Sequence, residues 1–89
     1  MKVTIYRVGA EPEVRELEKK LTLAEMQELV GGYIQLMPWT REAKKPRPHW
    51  WMIADEDGRV RRLPINVAAS EHVGYIVVGT AVVGDYPFS

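Results

Sequence analysis

The sequence predicts an α+β fold: a mainly antiparallel sheet of five to six strands, with one packed α-helix and a short helical turn. Three observations predict it. Apolar and polar residues alternate near the N-terminus with the period of a strand, a capping signature marks one helix, and a long apolar run marks a last strand. The 89 residues suit one domain, residues 1–89, with a single small core.

The N-terminal elements are predicted to form a β-hairpin. Residues 2–8 alternate Val3 and Ile5 with other side chains, which is typical of a half-buried strand. Residues 9–12 contain the Gly and the Pro of a turn, and residues 13–17 are expected to return as the second strand.

The segment that follows carries the clearest local signals, those of a helix. Thr22 stands at the N-cap, and Glu25 completes a capping box three residues later. Gly31 supplies the left-handed residue that ends the helix. The apolar stripe expected to pack on the sheet consists of Leu23, Met26, Leu29 and Val30.

Two strands, a loop and a hairpin are predicted after the helix. Residues 33–37 are expected to form a central apolar strand, and residues 40–48, with two prolines and four basic side chains, a surface loop. Residues 50–54 form the next predicted strand. The Asp-Gly pair at 57–58 then predicts a hairpin that returns through residues 59–63, so that Arg59 and Arg61 project on one face beside the strand of residues 50–54.

The C-terminal part of the chain is predicted to hold a helical turn and the last strand. Asn66 can cap this turn, because its side-chain oxygen accepts hydrogen bonds from the first free amides. Residues 75–83 are expected to form a long apolar strand, in which Gly79 marks a bulge or a close approach. The chain after residue 83 is expected to be loose.

Composition and charge exclude several classes of protein. Twelve basic and twelve acidic side chains leave no net charge, and there is no cysteine, so strongly basic nucleic-acid binders, disulfide scaffolds and thiolate zinc sites are excluded. The longest apolar runs are shorter than a membrane span, and charges follow the N-terminus too early for a signal peptide. We expect a protein without a cofactor, a metal site or sequence-specific DNA binding.

Three segments, LVGGYIQLMPW, MIADEDGRVRRLPINVAAS and YIVVGTAVVGD, carry a family resemblance. In this order they resemble a family of small phage and prophage proteins, domain-of-unknown-function number 3846. The motifs of that family fall on residues 30–34, 55–58, 63–68 and 76–84. The resemblance implies a phage-encoded protein that acts in the host cytoplasm, and it implies no particular reaction.

Tryptophans and arginines make the most informative pattern for function. Guanidinium groups bind phosphates through paired hydrogen bonds, and indole faces stack on bases, so the combination suits a nucleotide. Asn66 is either a cap or a group that hydrogen-bonds a base edge. The candidate ligand-binding residues are Trp39, Arg41, Arg47, Trp50, Trp51, Arg59, Arg61 and Asn66. The alternative is a solvated basic loop beside one core tryptophan.

No combination of residues supplies a base, a nucleophile and a metal set, so a binding protein is expected rather than an enzyme. The leading hypothesis is a phage counter-defence protein that sequesters an anionic nucleotide, such as a cyclic immune signal. The alternative is a protein-interaction module that docks on a host enzyme and inhibits it. A third reading is an accessory phage domain that binds no ligand.

A homo-oligomer is also expected. One short helix covers only one face of a five-stranded sheet, so the opposite face would leave Val77, Val82 and one tryptophan in water. Trp50 and Trp51 are adjacent in a strand and therefore point to opposite faces. One of them is expected in the core, and the other at or near the subunit contact.

Overall fold

The computed structural model describes residues 1–39 and 50–88, and within them one five-stranded antiparallel sheet lies between two helices. The α+β class predicted from the sequence is therefore confirmed. The strands occur in the order β2-β1-β5-β4-β3 across the sheet. The elements along the chain are β1 (Lys2–Tyr6), β2 (Glu13–Glu16), α1 (Leu23–Val30), β3 (Ile34–Met37), β4 (Trp51–Asp55), α2 (Val67–Val73) and β5 (Ala81–Gly84).

The register of the strands confirms the opening hairpin and places the last strand in the middle of the sheet. β1 pairs with β2, with Val3 opposite Arg15. β5 then inserts between β1 and β4, so that Val82 lies opposite both Ile5 and Ile53. β3 pairs with β4 and forms an edge of the sheet within the described ranges, which makes the prediction of a central position for it wrong.

Helix α1 covers one face of the sheet, called here the α1 face. Thr22 and Glu25 make the predicted capping box, with N···O distances of 2.9 and 3.1 Å, and Gly31 ends the helix at a φ of 87°. Leu23 is 57% exposed and does not join the core, contrary to the predicted stripe. The buried residues of this face are Val3, Ile5, Met26, Val30, Trp51, Ile53, Val82 and Tyr86.

The opposite face, called here the α2 face, is covered as well. Asn66 caps α2 as predicted, and the predicted turn is a helix of seven residues. The buried residues of this face are Met52, Ala54, Ala69, Val73, Val77, Ala81 and Val83. Val77 and Val82 are 1% and 0% exposed, so the prediction of an uncovered apolar face is wrong. α2 and the chain after it bury the surface that was expected to meet water.

The hairpin predicted around residues 57–58 does not form. Residues 56–62 make a series of turns, in which Gly58 and Asp57 amides bond to the Asp55 carbonyl and carboxylate at 3.2 and 2.8 Å. Because β4 already has β3 and β5 as neighbours, no position beside it is open to a returning strand. The Asp-Gly turn is therefore present, but it redirects the chain toward the α2 face.

The last strand is shorter than the sequence predicts. Only Ala81–Gly84 forms β5, and Val78 makes an isolated bridge with Ile65. Gly79 has a φ of 74°, and its amide donates to the Pro64 carbonyl at 2.8 Å. In the part of the apolar run before residue 81, Val77 is buried on the α2 face, whereas Ile76 is 53% exposed.

The chain beyond β5 is anchored instead of loose. The Tyr86 hydroxyl accepts a hydrogen bond from the Leu21 amide at 3.0 Å, and the Tyr86 carbonyl accepts one from Trp51 Nε1 at 2.6 Å. The Phe88 ring packs edge-on against Trp51, with 5.2 Å between ring centroids. These contacts attach the chain beyond β5 to Trp51 and to the segment before α1.

Candidate ligand-binding cleft

A cleft opens where β3 ends and β4 begins. Its volume is about 460 Å³, within the range of small-molecule sites. The described residues that line it are Leu36, Met37, Pro38, Trp39, Trp50 and Trp51, and we refer to it as the tryptophan cleft. Its lining side chains are apolar or aromatic, so it offers a surface for a flat apolar group.

Hydrogen bonds hold the two sides of the tryptophan cleft together. Trp39 Nε1 donates to the Trp50 carbonyl at 3.2 Å, and the Tyr75 hydroxyl donates to the Pro38 carbonyl at 2.8 Å. The Trp39 ring also meets the His72 ring edge-on, with 6.4 Å between centroids. The indole of Trp39 is thereby fixed before any ligand arrives, which reduces the entropy lost on binding.

A tyrosine–histidine pair, Tyr6 and His72, supports Trp39 through the contact of the His72 ring with the indole. The Tyr6 hydroxyl lies 2.7 Å from His72 Nε2, and the two rings are 5.0 Å apart. Burial raises the pKa of Tyr6, so the phenol stays protonated and can donate to the imidazole. The sequence analysis missed this pair. The signal available was the position of Tyr6 on the face of β1 opposite Val3 and Ile5.

Trp50 and Trp51 differ in their surroundings, as their opposite directions predict. Trp51 is 4% exposed and lies over Gly84, its cross-strand neighbour, where a Cβ atom would overlap the indole. Trp50 is half-buried and packs on the α2 face. Its Nε1 is buried, and no residue within the described ranges accepts a hydrogen bond from it.

Two of the candidate arginines, Arg41 and Arg47, lie outside the described residues. They belong to the segment of residues 40–49 that joins Trp39 to Trp50, and this segment also contains Lys44 and Lys45. Trp39 and Trp50, which line the tryptophan cleft, therefore flank the most basic stretch of the sequence.

Arg59 and Arg61 are placed away from the tryptophan cleft. Arg61 forms an ion pair with the buried Asp55 and donates to the Gly31 carbonyl at 3.1 Å. Asp55 ends β4 and Trp51 begins it, so roughly 13 Å of strand separates this ion pair from the cleft. Arg59 Nη2 lies 3.4 Å from the Ile76 carbonyl. The predicted hairpin that would have aligned both arginines beside the tryptophans is absent.

Asn66 also lies elsewhere, at 2% exposure. Its amide nitrogen donates to the carbonyls of Tyr6 and Gly79 at 2.7 and 2.8 Å, and its oxygen accepts from the Ala69 amide at 3.1 Å. Both donor hydrogens are thus used inside the protein. Asn66 joins β1, α2 and the segment before β5, a structural role.

The described residues offer no cluster of three or more His, Asp or Glu side chains that could hold a metal ion. Likewise, none of the helices within residues 1–39 and 50–88 has the length and apolar character to span a bilayer.

Comparison with known proteins places the chain in a family. The sequence profile described as Domain of unknown function (DUF3846) matches residues 1–86. The chain belongs to the DUF3846 family. The resemblance noted in the sequence is therefore confirmed. No curated protein and no solved structure matches the chain.

The motifs that carry the DUF3846 resemblance have structural roles in this chain. At Gly32, a Cβ atom would lie 2.7 Å from Arg61 Nη1 and 2.9 Å from Asp55 Oδ2, so the glycine makes room for that ion pair. Asn66 ties three segments together, and Gly84 receives the Trp51 ring. In this chain Gly32, Asn66 and Gly84 thus support the scaffold, whereas Trp39 and Trp50 line the tryptophan cleft.

Proposed function

We propose that this DUF3846 protein binds an anionic nucleotide in the tryptophan cleft and catalyses no reaction. The observation that carries the proposal is the position of Trp39 and Trp50, two partly exposed indoles that border an apolar cleft of about 460 Å³. A base has a π-face on both sides, and stacking on an aromatic side chain contributes about 1–3 kcal/mol per base.

The charge of the neighbouring segment supports an anionic ligand. Residues 40–49 carry four basic side chains and one acidic side chain, and the two residues that flank this segment, Trp39 and Trp50, line the cleft. For a base stacked on these indoles, the basic side chains of this segment are the groups that we propose for its phosphates. Guanidinium and ammonium groups bind phosphate by charge-assisted hydrogen bonds.

On this proposal the protein acts by stoichiometric capture. The family resemblance implied a phage-encoded protein that works inside an infected host. We further propose that the captured nucleotide is an immune signal of the host, and that its removal protects the phage.

Titration calorimetry of the purified protein with cyclic dinucleotides, cyclic trinucleotides and mononucleotides tests the proposal. Trp39→Ala should weaken binding about 5- to 150-fold, the equivalent of one lost stacking contact. The double variant Arg41→Ala, Arg47→Ala should weaken binding and flatten its salt dependence. Val60→Ala is the control, because Val60 is 84% exposed and does not line the cleft.

Two results would contradict nucleotide binding: no heat of binding across the panel, or an affinity that Trp39→Ala leaves unchanged while circular dichroism shows the variant folded. The alternative function, docking on a host enzyme, is favoured by the described residues that line the cleft, which are uncharged and could receive an apolar side chain. That alternative gains support if one host enzyme co-purifies with the wild type and is lost specifically from Trp39→Ala.

A further inference from the structure

The two edges of the sheet differ in charge. In the described part of the chain, β2 and β3 are the outer strands. β2 has the sequence EVRE, and charged side chains on an edge strand discourage pairing with other chains. β3 has the sequence IQLM, without charge or proline, and the preceding Tyr33 is uncharged as well. Within the described residues, β3 thus lacks the usual protection of an exposed edge.

The sequence of the β3 edge is complementary to itself. In an antiparallel pair, opposite residues point to the same face of the sheet. A two-fold axis that relates two copies of one strand must therefore pass midway between one residue and the same residue of the second copy. An axis through Gln35 places Tyr33 opposite the second Met37 and Ile34 opposite the second Leu36, and Gln35 faces its own copy. Apolar side chains thereby meet apolar side chains, and one amide meets another.

We propose that β3 pairs with β3 of a second copy of this chain, antiparallel and centred on Gln35. The two five-stranded sheets then form one continuous sheet. Tyr33 and Leu36, which are 68% and 51% exposed in the single chain, become covered at the contact. An isologous contact closes on itself and consumes the edge of both copies, so assembly stops at the dimer.

The contact shares Leu36 and Met37 with the lining of the tryptophan cleft, and Gln35 allows assembly and nucleotide binding to be tested apart. Gln35 does not line the tryptophan cleft, whereas its neighbours Leu36 and Met37 do. Substitutions at Gln35 can therefore change assembly without altering a cleft side chain.

Sedimentation velocity over a micromolar concentration series tests the dimer. The wild type should sediment with twice the mass of the 10.2 kDa chain. Gln35→Glu and Gln35→Lys each place like charges opposite each other on the axis, and each should raise the dimer dissociation constant about fivefold or more. An equal mixture of the two variants should restore a dimer, because opposite charges then face each other.

Val14→Lys is the matched control: it adds a charge to the other edge, at a residue that is 62% exposed, and should leave the dimer intact. A wild type that stays at the mass of one chain at every concentration overturns the proposal. So does a dimer that neither Gln35 variant weakens, or a mixture that sediments like the separate variants.

Discussion

Adjacent tryptophans in this chain have unequal structural roles. Trp51 fills the α1 face and donates a 2.6 Å hydrogen bond to the Tyr86 carbonyl, while Trp50 Nε1 has no acceptor among the described residues. Trp51→Phe should therefore lower the free energy of unfolding by about 2–3 kcal/mol, from lost packing and an unsatisfied carbonyl. Trp50→Phe removes no such bond and should change it by less than about 1 kcal/mol.

Urea unfolding of both variants, followed by far-ultraviolet circular dichroism, checks the difference. Equal losses of stability for Trp50→Phe and Trp51→Phe would contradict the assignment of Trp51 as the core tryptophan.

At Asn66, the direction of the side-chain hydrogen bonds sets the expected effect of substitution. The amide nitrogen donates to two carbonyls, those of Tyr6 and Gly79. Asn66→Asp keeps the shape and the cap of α2 but turns a carboxylate oxygen toward both carbonyls. The variant should lose about 3 kcal/mol or more of stability at neutral pH.

The pH dependence of Asn66→Asp follows from the same geometry. The folded state disfavours the ionised carboxyl, so its pKa in the folded state lies above the unfolded value. The penalty is therefore full above the folded pKa and shrinks as the pH falls through it. Thermal unfolding of the variant and the wild type at neutral and mildly acidic pH should show the gap narrowing in acid; a constant gap would contradict the prediction.

At the scale of a single element, α1 should show an acid-sensitive cap. The Glu25 carboxylate accepts a hydrogen bond from the Thr22 amide, which lowers the pKa of Glu25 below its ordinary value of 4.5. Its contribution to stability is thus complete above about pH 4.5 and is lost as the pH falls through the lower folded-state pKa.

Glu25→Gln can keep the capping hydrogen bond but cannot titrate. The stability of this variant should depend less on pH than that of the wild type between about pH 5 and 3. Glu28→Gln on the same helix is the control, and Thr22→Ala should cost about 1 kcal/mol at neutral pH. Parallel pH profiles of the wild type and Glu25→Gln would refute this role of the cap.

Helix α1 and the hairpin predicted at residues 57–58 show why some elements can be predicted from sequence and others cannot. The capping box of α1 lies within four consecutive residues, so the sequence alone determines it. The Asp-Gly turn at 57–58 is also local. Whether the chain after it can pair with β4 depends on which other strand already lies beside β4 in the sheet. On one side that strand is β5, which lies about 25 residues further along.

The candidate site follows the same rule. Trp39 and Trp50 were predicted from their position beside a basic stretch, and the structure brings them together in the tryptophan cleft. Arg59 and Arg61 were predicted to lie near the tryptophans only because of the predicted hairpin. The buried carboxylate of Asp55, which pairs with Arg61, becomes a partner through tertiary folding. A sequence reading of isolated arginines cannot identify such a partner.

At the scale of the whole molecule, one strand connects two separate cores. Val82 packs on the α1 face and Val83 on the α2 face, and both are buried. Val82→Ala and Val83→Ala should each lower the free energy of unfolding by about 2 kcal/mol. Because both cores share the sheet, each variant should unfold in a single transition.

Tryptophan fluorescence and far-ultraviolet circular dichroism, recorded on the same urea series, test this coupling. Their midpoints should coincide for the wild type and for both valine variants. If one face of the sheet unfolded separately, the fluorescence and circular dichroism midpoints would differ in at least one valine variant, and the prediction would be wrong.

The central position of β5 has a consequence for the newborn chain on the ribosome. β1 and β4 are joined only through β5, whose last residue is Gly84. Until synthesis reaches that point, only the pairs β1–β2 and β3–β4 can form, each with open edges. The sheet must then close by insertion of its latest strand between two halves made earlier, and chaperones that shield strand edges should engage this nascent chain until Gly84 has emerged.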